Sequence, residues 1–551
     1  MGIAKEFGEI IQRGLVDSSL DRCSRWAQHR IEMPHPVPGP LKFDKFPWQE
    51  SILDCNEEIV SIQKGAQIGF SVAGMIKALH RVDSCREDVL YILPTDKNAS
   101  QFAQARLDSI VGLSPKLSDL WRSANSVGLK QTKHLTNLYI KGSMSEANLV
   151  SVPVGCVVID EYDRCNVKAL SLALERMSAY EKRHLFALST PTLPEYGINA
   201  LYDQGTKEEF TFKCPSCSKH IALRWPESFE VRGDSATDPN VVESYIKCYE
   251  CGAKLPHETK QEWMSGADWV PTTKASGHRS FSVSQLYSFT VNPADIAIGY
   301  HRGCGDEVAM VEFVNQKMGM PYIMKGGKVT DTEINRNIGS HHKFDGLADD
   351  NAMITMGVDV GNFLDVAIVK YDYLEDPWLE PHLRSHATLL HELRLPGGDF
   401  TGLDQLMSEW QVKHCCIDFQ PETNLAKSFA RRFHGFVSLV QYRRGTEQEE
   451  IKEKEDDRVP ILTVNRTAFL DYSVGRLHKD RITLPVDLSN LWREHVKAIN
   501  RTYVLDEVGK PKATYLSAKP DHSAHALALA EVAHIRAYEA FHGRTAKIGG
   551  K

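Results

Sequence analysis

The stretch 57–82, EEIVSIQKGAQIGFSVAGMIKALHRV, runs from strand-forming residues through a glycine turn into a segment of helical spacing. A strand that feeds directly into a helix commits the chain to a crossover and to a parallel sheet. Ile59 to Ile62 are the expected strand, Lys64 to Ser71 the loop, and Val72 onward the helix. A standard phosphate loop reads GxxxxGK[ST], with backbone N–H groups cradling phosphates at the helix N-terminus. Gly69 and Ser71 keep this pattern, while Phe70 takes the lysine's place and Lys64 that of the first glycine. On this reading the loop Lys64-Gly65-Ala66-Gln67-Ile68-Gly69-Phe70-Ser71 binds ATP phosphates with its cation moved to the front, and Ser71 ligates Mg²⁺. Taken alone, the segment also fits a plain strand–turn–helix.

A second element strengthens the nucleotide reading. Cys156-Val-Val-Ile-Asp160-Glu161 is an apolar strand ending in two acids, and strand ends are where open α/β sheets bind ligands. Asp160 is expected to hold Mg²⁺ and Glu161 to polarise the attacking water. A third strand, from Leu185, ends in Ser189-Thr190-Pro191-Thr192; Ser189 and Thr190 are candidates to sense the γ-phosphate. Upstream of the loop, Gln49 is a candidate to read adenine and Trp48 to stack on it.

Cysteine usage divides sharply. Of twelve cysteines, eight are scattered and read mostly as reduced, buried thiols. The other four form Cys214-Pro-Ser-Cys217 and Cys248-Tyr-Glu-Cys251. Each CxxC places two thiolates on one tight turn, and two turns make a closed tetrahedral Zn²⁺ site of the structural type.

The later sequence carries a third pattern. Ile354–Asn362 followed by Val366–Tyr371 reads as a hairpin with Asp359 mid-strand among apolar neighbours. A buried acid there is costly unless it is paired or metal-bound. Cys415-Cys-Ile-Asp418 repeats the pattern, and Pro520-Asp521-His522-Ser-Ala-His525 opens an Ala-rich helix. Acid, acid, then a ligand on a late helix is the order of a ribonuclease-H-like nuclease using two Mg²⁺ or Mn²⁺ ions. Asp359 and Asp418 are the first two ligands; the third is Asp521 or His525.

These readings divide the chain into an N-terminal helix and Pro-rich linker (1–40), a P-loop ATPase domain of the RecA-like class (41–205), a zinc-ribbon-like insertion (206–275), a linker or subdomain (276–345) and a ribonuclease-H-like domain (346–551). The fold class is α/β. The run 447–458, with seven acids and three bases, reads as a solvated loop or helix. Net charge is −7, so any nucleic-acid contact comes from local patches rather than a globally basic surface. No run approaches the roughly 18 apolar residues of a membrane span, and the first residues lack an apolar signal core; an intracellular protein is expected.

Taken together, the loop 64–71, Val157–Glu161, the CxxC pairs and Gly357-Val-Asp359 resemble the lambda-type (GpA-family) terminase large subunits. So do Phe281–Ser288 and Phe313–Pro321. The resemblance covers about residues 30 to 540, and the family's phosphate loop often moves its basic residue to the front. It implies ATP-driven packaging of double-stranded viral DNA into procapsids and endonucleolytic cutting of the concatemer, in the host cytoplasm and outside the virion. Its implied partners are a small terminase subunit, the portal ring and further copies of the chain in a ring. It also implies that Glu161 is the catalytic glutamate and that Asp359 and Asp418 are nuclease acids. The family's late helix usually offers an acid near the place of His525. Two alternatives are a DNA-repair helicase–nuclease, which needs a second helicase lobe, and a non-enzymatic zinc DNA-binding adaptor, which does not need Asp160-Glu161.

Overall fold

The computed structural model describes residues 22–34, 38–122, 126–150, 153–166, 168–345, 352–373, 385–443, 451–506 and 510–542. The chain forms two compact units, Met1–Tyr322 and Ile323–Lys551.

The first unit is built on a ten-stranded sheet. Its parallel centre runs His278–Val283, Ile59–Lys64, His184–Ser189, Cys156–Asp160, Val89–Leu93, Asn137–Gly142. Cys156–Asp160 and His184–Ser189 are buried along their whole lengths, as expected for strands covered on both faces. Their side chains alternate between two cores: Cys156, Val158, Phe186 and Leu188 enter one, Val157, Ile159, Leu185 and Ala187 the other. In register, Gln63 faces Ser189 and Asp160 faces Leu188. The C-terminal ends of these three strands therefore share one edge of the sheet.

The structure redraws two of the expected boundaries. Residues 206–275 are not a separate module: Glu208–Lys213, His220–Ala222 and Asp268–Val270 extend the ATPase sheet at its edge. The strand His278–Val283, expected in a linker, lies inside the sheet and pairs in parallel with Ile59–Lys64. The reason is physical: pairing between strands more than 200 residues apart leaves no local periodicity to read. Residues 276–345 divide between the units, 276–322 with the first and 323–345 with the second. Only Phe229–Glu230, Tyr245–Lys247 and Lys254–Leu255 form a sheet of their own.

The expected N-terminal helix falls largely on residues 1–21, outside those described; Cys23–Arg30 is helical. The Pro-rich stretch folds back on itself, Glu32–Met33 pairing with Gly39–Pro40, rather than running on as an extended linker. Residues 35–37 within it lie outside the described residues.

The second unit holds an eight-stranded sheet. The order is Lys452–Asp456, Val459–Asn465, Val437–Arg443, His414–Asp418, Met353–Val360, Phe363–Tyr373, Ser385–Pro396, Ile482–Thr483. Three antiparallel strands from Met353 onward, then a parallel strand beside the first, is the ribonuclease-H-like arrangement. The helix His522–His542 crosses this sheet. Gly357 makes the crossing possible, because a Cβ there would stand 2.0 Å from the Ala526 carbonyl oxygen. Of the acidic run, 447–450 lie outside the described residues; Lys452–Asp456 is a fully exposed edge strand rather than a loop or helix. Charges along an exposed edge discourage pairing with other chains. Among the described residues no helix is long and apolar enough to cross a membrane.

Candidate nucleotide, nuclease and cysteine sites

The loop after Ile59–Lys64 turns at Gln67 (φ 59°) and Gly69 (φ 86°) before the helix Phe70–Asp83 begins. Only glycine tolerates position 69, where a Cβ would meet Gln49 Nε2 at 2.3 Å. The N–H groups of the first helical turn have no intrahelical acceptor, so this turn aims free donors at the sheet edge. Lys64, 5% exposed, closes the loop from the other side, its Nζ 3.1 Å from Glu161 Oε1. The cation at the loop's front thus meets the acid at the strand's end.

Asp160 is 2% exposed. Its Oδ2 accepts from the Tyr91 hydroxyl at 3.2 Å, while its buried Oδ1 has no protein partner. Burial, and then the charge of Glu161, raise its pKa; Lys64 and the hydroxyl of Ser71 pull it down. An ionisable oxygen buried without a donor fits a cation, and Ser71 stands beside it. Glu161 sits in the left-handed region (φ 55°, ψ 47°), a strained conformation for a non-glycine residue and a common mark of functional positions. Burial raises its carboxyl, but Lys64 and Arg164, with Arg106 further down, outweigh that and hold it below the ordinary range.

The adenine expectation changes. Trp48 is fully buried, edge-on to Phe46, and its indole N–H donates to the Ile68 carbonyl at 3.2 Å. Gln49 Nε2 donates to the same carbonyl at 3.3 Å. A ring with no exposed face cannot stack on a base, so this pair braces the loop. Ser189 does not point a free hydroxyl at the site either: its Oγ accepts from Asp163 N–H at 3.1 Å and donates to the Thr190 carbonyl at 3.0 Å. Thr190 is buried beside it. Asp163, two residues past Glu161, was not singled out from sequence. Burial pushes its carboxyl up to about 7, against the pull of hydrogen bonds from Ile198 and Thr192.

In the second unit, Asp359 and Asp418 end adjacent parallel strands, whose register pairs Val358 with Ile417. Asp359 is 7% exposed and accepts from His522 Nδ1 at 2.8 Å. Burial and then the charge of Asp359 push Asp418 up to about 7; desolvation and a nearby like charge both disfavour the ionised carboxylate. His525 Nε2 lies 2.9 Å from Arg466 Nη2 and 3.5 Å from Asp521 Oδ2. Burial raises the Asp521 carboxyl, but His525, Arg466 and His522 hold it below the ordinary range. The ends of two strands and the start of one helix therefore set the four candidates expected from sequence at one end of the sheet, with ligand atoms less tightly clustered than those of the cysteine group. Sequence reasoning missed His522, Arg466 and Asp365. Asp365 faces Asp359 across the hairpin and is held by Arg394; its spacing from Asp359 in that hairpin was the available signal.

The two CxxC turns converge. The ligating atoms of Cys214, Cys217, Cys248 and Cys251 all lie within 4.8 Å of one another, and among the described residues no other such group occurs. Cys217 Sγ and Cys248 Sγ are 3.9 Å apart; a tetrahedron with bonds of about 2.3 Å separates sulfurs by about 3.8 Å. Each turn is closed by an N–H returning to its first cysteine, Ser218 to Cys214 and Gly252 to Cys248.

The family profile described as "Phage terminase large subunit gpA, ATPase domain" matches residues 36–269. That described as "Terminase large subunit gpA, endonuclease domain" matches residues 278–480. The chain belongs to the gpA-type phage terminase large subunits. As a terminase it carries an ATPase and a DNA endonuclease on one chain. The fold agrees with the crystal structure of the HK97 bacteriophage large terminase at a TM-score of 0.51 and 10% identity, covering 93% of this chain and 98% of that one. The large terminase of the thermophilic bacteriophage D6E matches at 9% identity over 86% of this chain and 93% of that one, with a TM-score of 0.29. No curated protein matches the sequence. The terminase endonuclease profile ends at residue 480, before Asp521 and His525.

Proposed function

We propose that this terminase large subunit drives double-stranded DNA into a procapsid with its first unit and cuts the concatemer with its second. The observation that carries the motor half is the convergence of Lys64 and the Asp160–Glu161 pair on one loop, at 3.1 Å between Lys64 and Glu161. Lys64 and the first-turn N–H groups hold the ATP phosphates. Asp160 and Ser71 hold Mg²⁺, for which the partnerless Asp160 Oδ1 is suited. Glu161, kept ionised by Lys64, takes the proton of the attacking water. Asp163 and Ser189 fix the strand end from which Glu161 works.

In the second unit Asp359 and Asp418 hold Mg²⁺ or Mn²⁺, which supplies charge neutralisation at the scissile phosphate. Adjacent parallel strands bring these two acids to the same end of the sheet, where they would hold such a cation. Asp521 is the better third ligand because its carboxyl is held ionised; His525 Nε2 is engaged by Arg466 and Asp521, and its buried Nδ1 has no partner. His522 balances the charge of Asp359. The four cysteines hold a structural Zn²⁺. A small subunit delivers the DNA, the portal receives a ring of these chains, and the work takes place in the host cytoplasm.

Asp359→Ala tests the division of labour. The variant is expected to lose Mg²⁺- or Mn²⁺-dependent cleavage of DNA and to keep DNA-stimulated ATP hydrolysis. Wild-type cutting by that variant removes the nuclease assignment and leaves the motor standing.

A further inference from the structure

The turn after the hydroxyl-ended strand is gripped from two sides. Asp163 accepts from the Thr192 N–H at 2.8 Å, the Thr192 hydroxyl at 2.7 Å and the Ile198 N–H at 2.7 Å. From the other side, Asn315 Nδ2 donates to the Pro191 carbonyl at 2.5 Å and to the Thr192 carbonyl at 2.8 Å. The Tyr322 N–H reaches the same Thr192 carbonyl at 3.0 Å. The N–H, hydroxyl and carbonyl of Thr192 are therefore all engaged.

Asn315 is 4% exposed, and its Oδ1 is buried with no partner. A buried acceptor left unmade is costly, so the side chain is held there by what its two donors gain. Asn315 lies in the π-helical turn Phe313–Lys317. Such wide turns are frequent at functional positions. The next residue, Gln316, offers its carbonyl to the Ala66 N–H of the nucleotide loop at 2.6 Å. At the next peptide of the loop, Gln285 Nε2 donates to the Ala66 carbonyl at 3.0 Å. One short turn thus touches both the loop that faces the phosphates and the turn that follows the hydroxyl strand.

We infer that Asn315 is a positioning residue of the ATPase, locking the Pro191–Thr192 turn and the Gly65–Ala66 end of the loop into one arrangement through the turn Phe313–Lys317. A displacement of the hydroxyl-ended strand then moves the loop and the stretch 313–322, with which the first unit ends. The inference rests on the nucleotide reading of residues 64–71. It assigns to a segment expected as linker a part in setting how ATP is held and turned over.

The test uses the full chain and steady-state ATP hydrolysis with and without double-stranded DNA. Asn315→Leu keeps the side chain's volume and removes both donors. KM for ATP should rise and DNA-stimulated kcat fall, each by about tenfold, the factor one lost buried hydrogen bond supplies. Thr192→Val removes only the hydroxyl that Asp163 accepts and should lower kcat, while Thr192→Ser should restore it. The double variant Asn315→Leu/Thr192→Val should be no slower than the worse single variant, because both break the same clamp. A packing role alone predicts a lower unfolding temperature with kcat and KM unchanged; that result overturns the inference, as do additive losses in the double variant. If Asn315→Leu does not fold, the Thr192→Val and Thr192→Ser pair decides: equal kcat in the two overturns it. A wild-type chain that does not hydrolyse ATP defeats the nucleotide reading instead, and is recognised before any variant is compared.

Discussion

Asp418→Asn tests the nuclease pair without requiring a DNA substrate. Burial and the neighbouring Asp359 push the Asp418 carboxyl from 3.8 up to about 7. The native chain therefore keeps this proton over about three pH units in which the unfolded chain has released it. A group whose pKa is raised on folding contributes stability that is complete below the unfolded value and lost as pH rises through the folded one. Each unit is worth about 1.4 kcal/mol, so the metal-free protein loses about 4 kcal/mol from this group between pH 4 and pH 7. Asparagine cannot ionise, and its variant lacks that slope. Divalent metal opposes the loss in the wild type, because a ligand bound only by the native state stabilises it by about 2.7 kcal/mol at a hundredfold excess over Kd. Urea unfolding, followed by tryptophan fluorescence, to which buried Trp410 and Trp492 of the second unit contribute, at four pH values from 4.5 to 7.5, in EDTA and in Mn²⁺, measures both effects. Parallel stability curves for the two proteins in EDTA would refute the argument. So would equal stabilisation of both by Mn²⁺.

Three further outcomes follow from the same geometry. Glu161→Gln should still bind ATP yet lose DNA-stimulated hydrolysis by roughly 10²–10⁴-fold, the usual weight of a positioned base; nucleotide binding and phosphate release, measured together, check it. Cys214→Ser should bind less than the one Zn²⁺ per chain expected of the wild type and melt earlier, since a structural metal contributes folding energy; metal analysis with a thermal melt decides, and a zinc-free wild type of normal stability rejects the site. Asp521→Ala should abolish metal-dependent cleavage, whereas His525→Ala should leave measurable cutting; the reverse ranking makes His525 the ligand.

Where a candidate acid lies at the end of one apolar strand, its place could be read directly. Cys156–Asp160, Met353–Val360 and His414–Asp418 are short apolar runs with a carboxylate at or near the end, and a carboxylate among buried residues demands a partner or a metal. The CxxC pairs are equally local, because each turn is complete within five residues and needs only its partner turn to close the site. The loop's departure from the standard pattern was also legible in the sequence; that its leading Lys64 pairs with Glu161 was not.

Tertiary structure decided the rest, because the interactions concerned span long stretches of chain. Trp48 looked like a surface ring beside a nucleotide, and is instead sealed under the loop by Phe46 and Phe289. His522 is 163 residues from Asp359, yet donates to it. Asn315 grips a turn 123 residues away. The strand His278–Val283 sits within the ATPase sheet although more than 200 residues separate it from its neighbour Ile59–Lys64. Local propensity and period act over a few residues, so they specify that a strand exists and which of its faces is apolar. Which strand lies beside which, and hence which polar side chains meet, is settled by burying both faces of the sheet at once, a condition that only the assembled chain can satisfy.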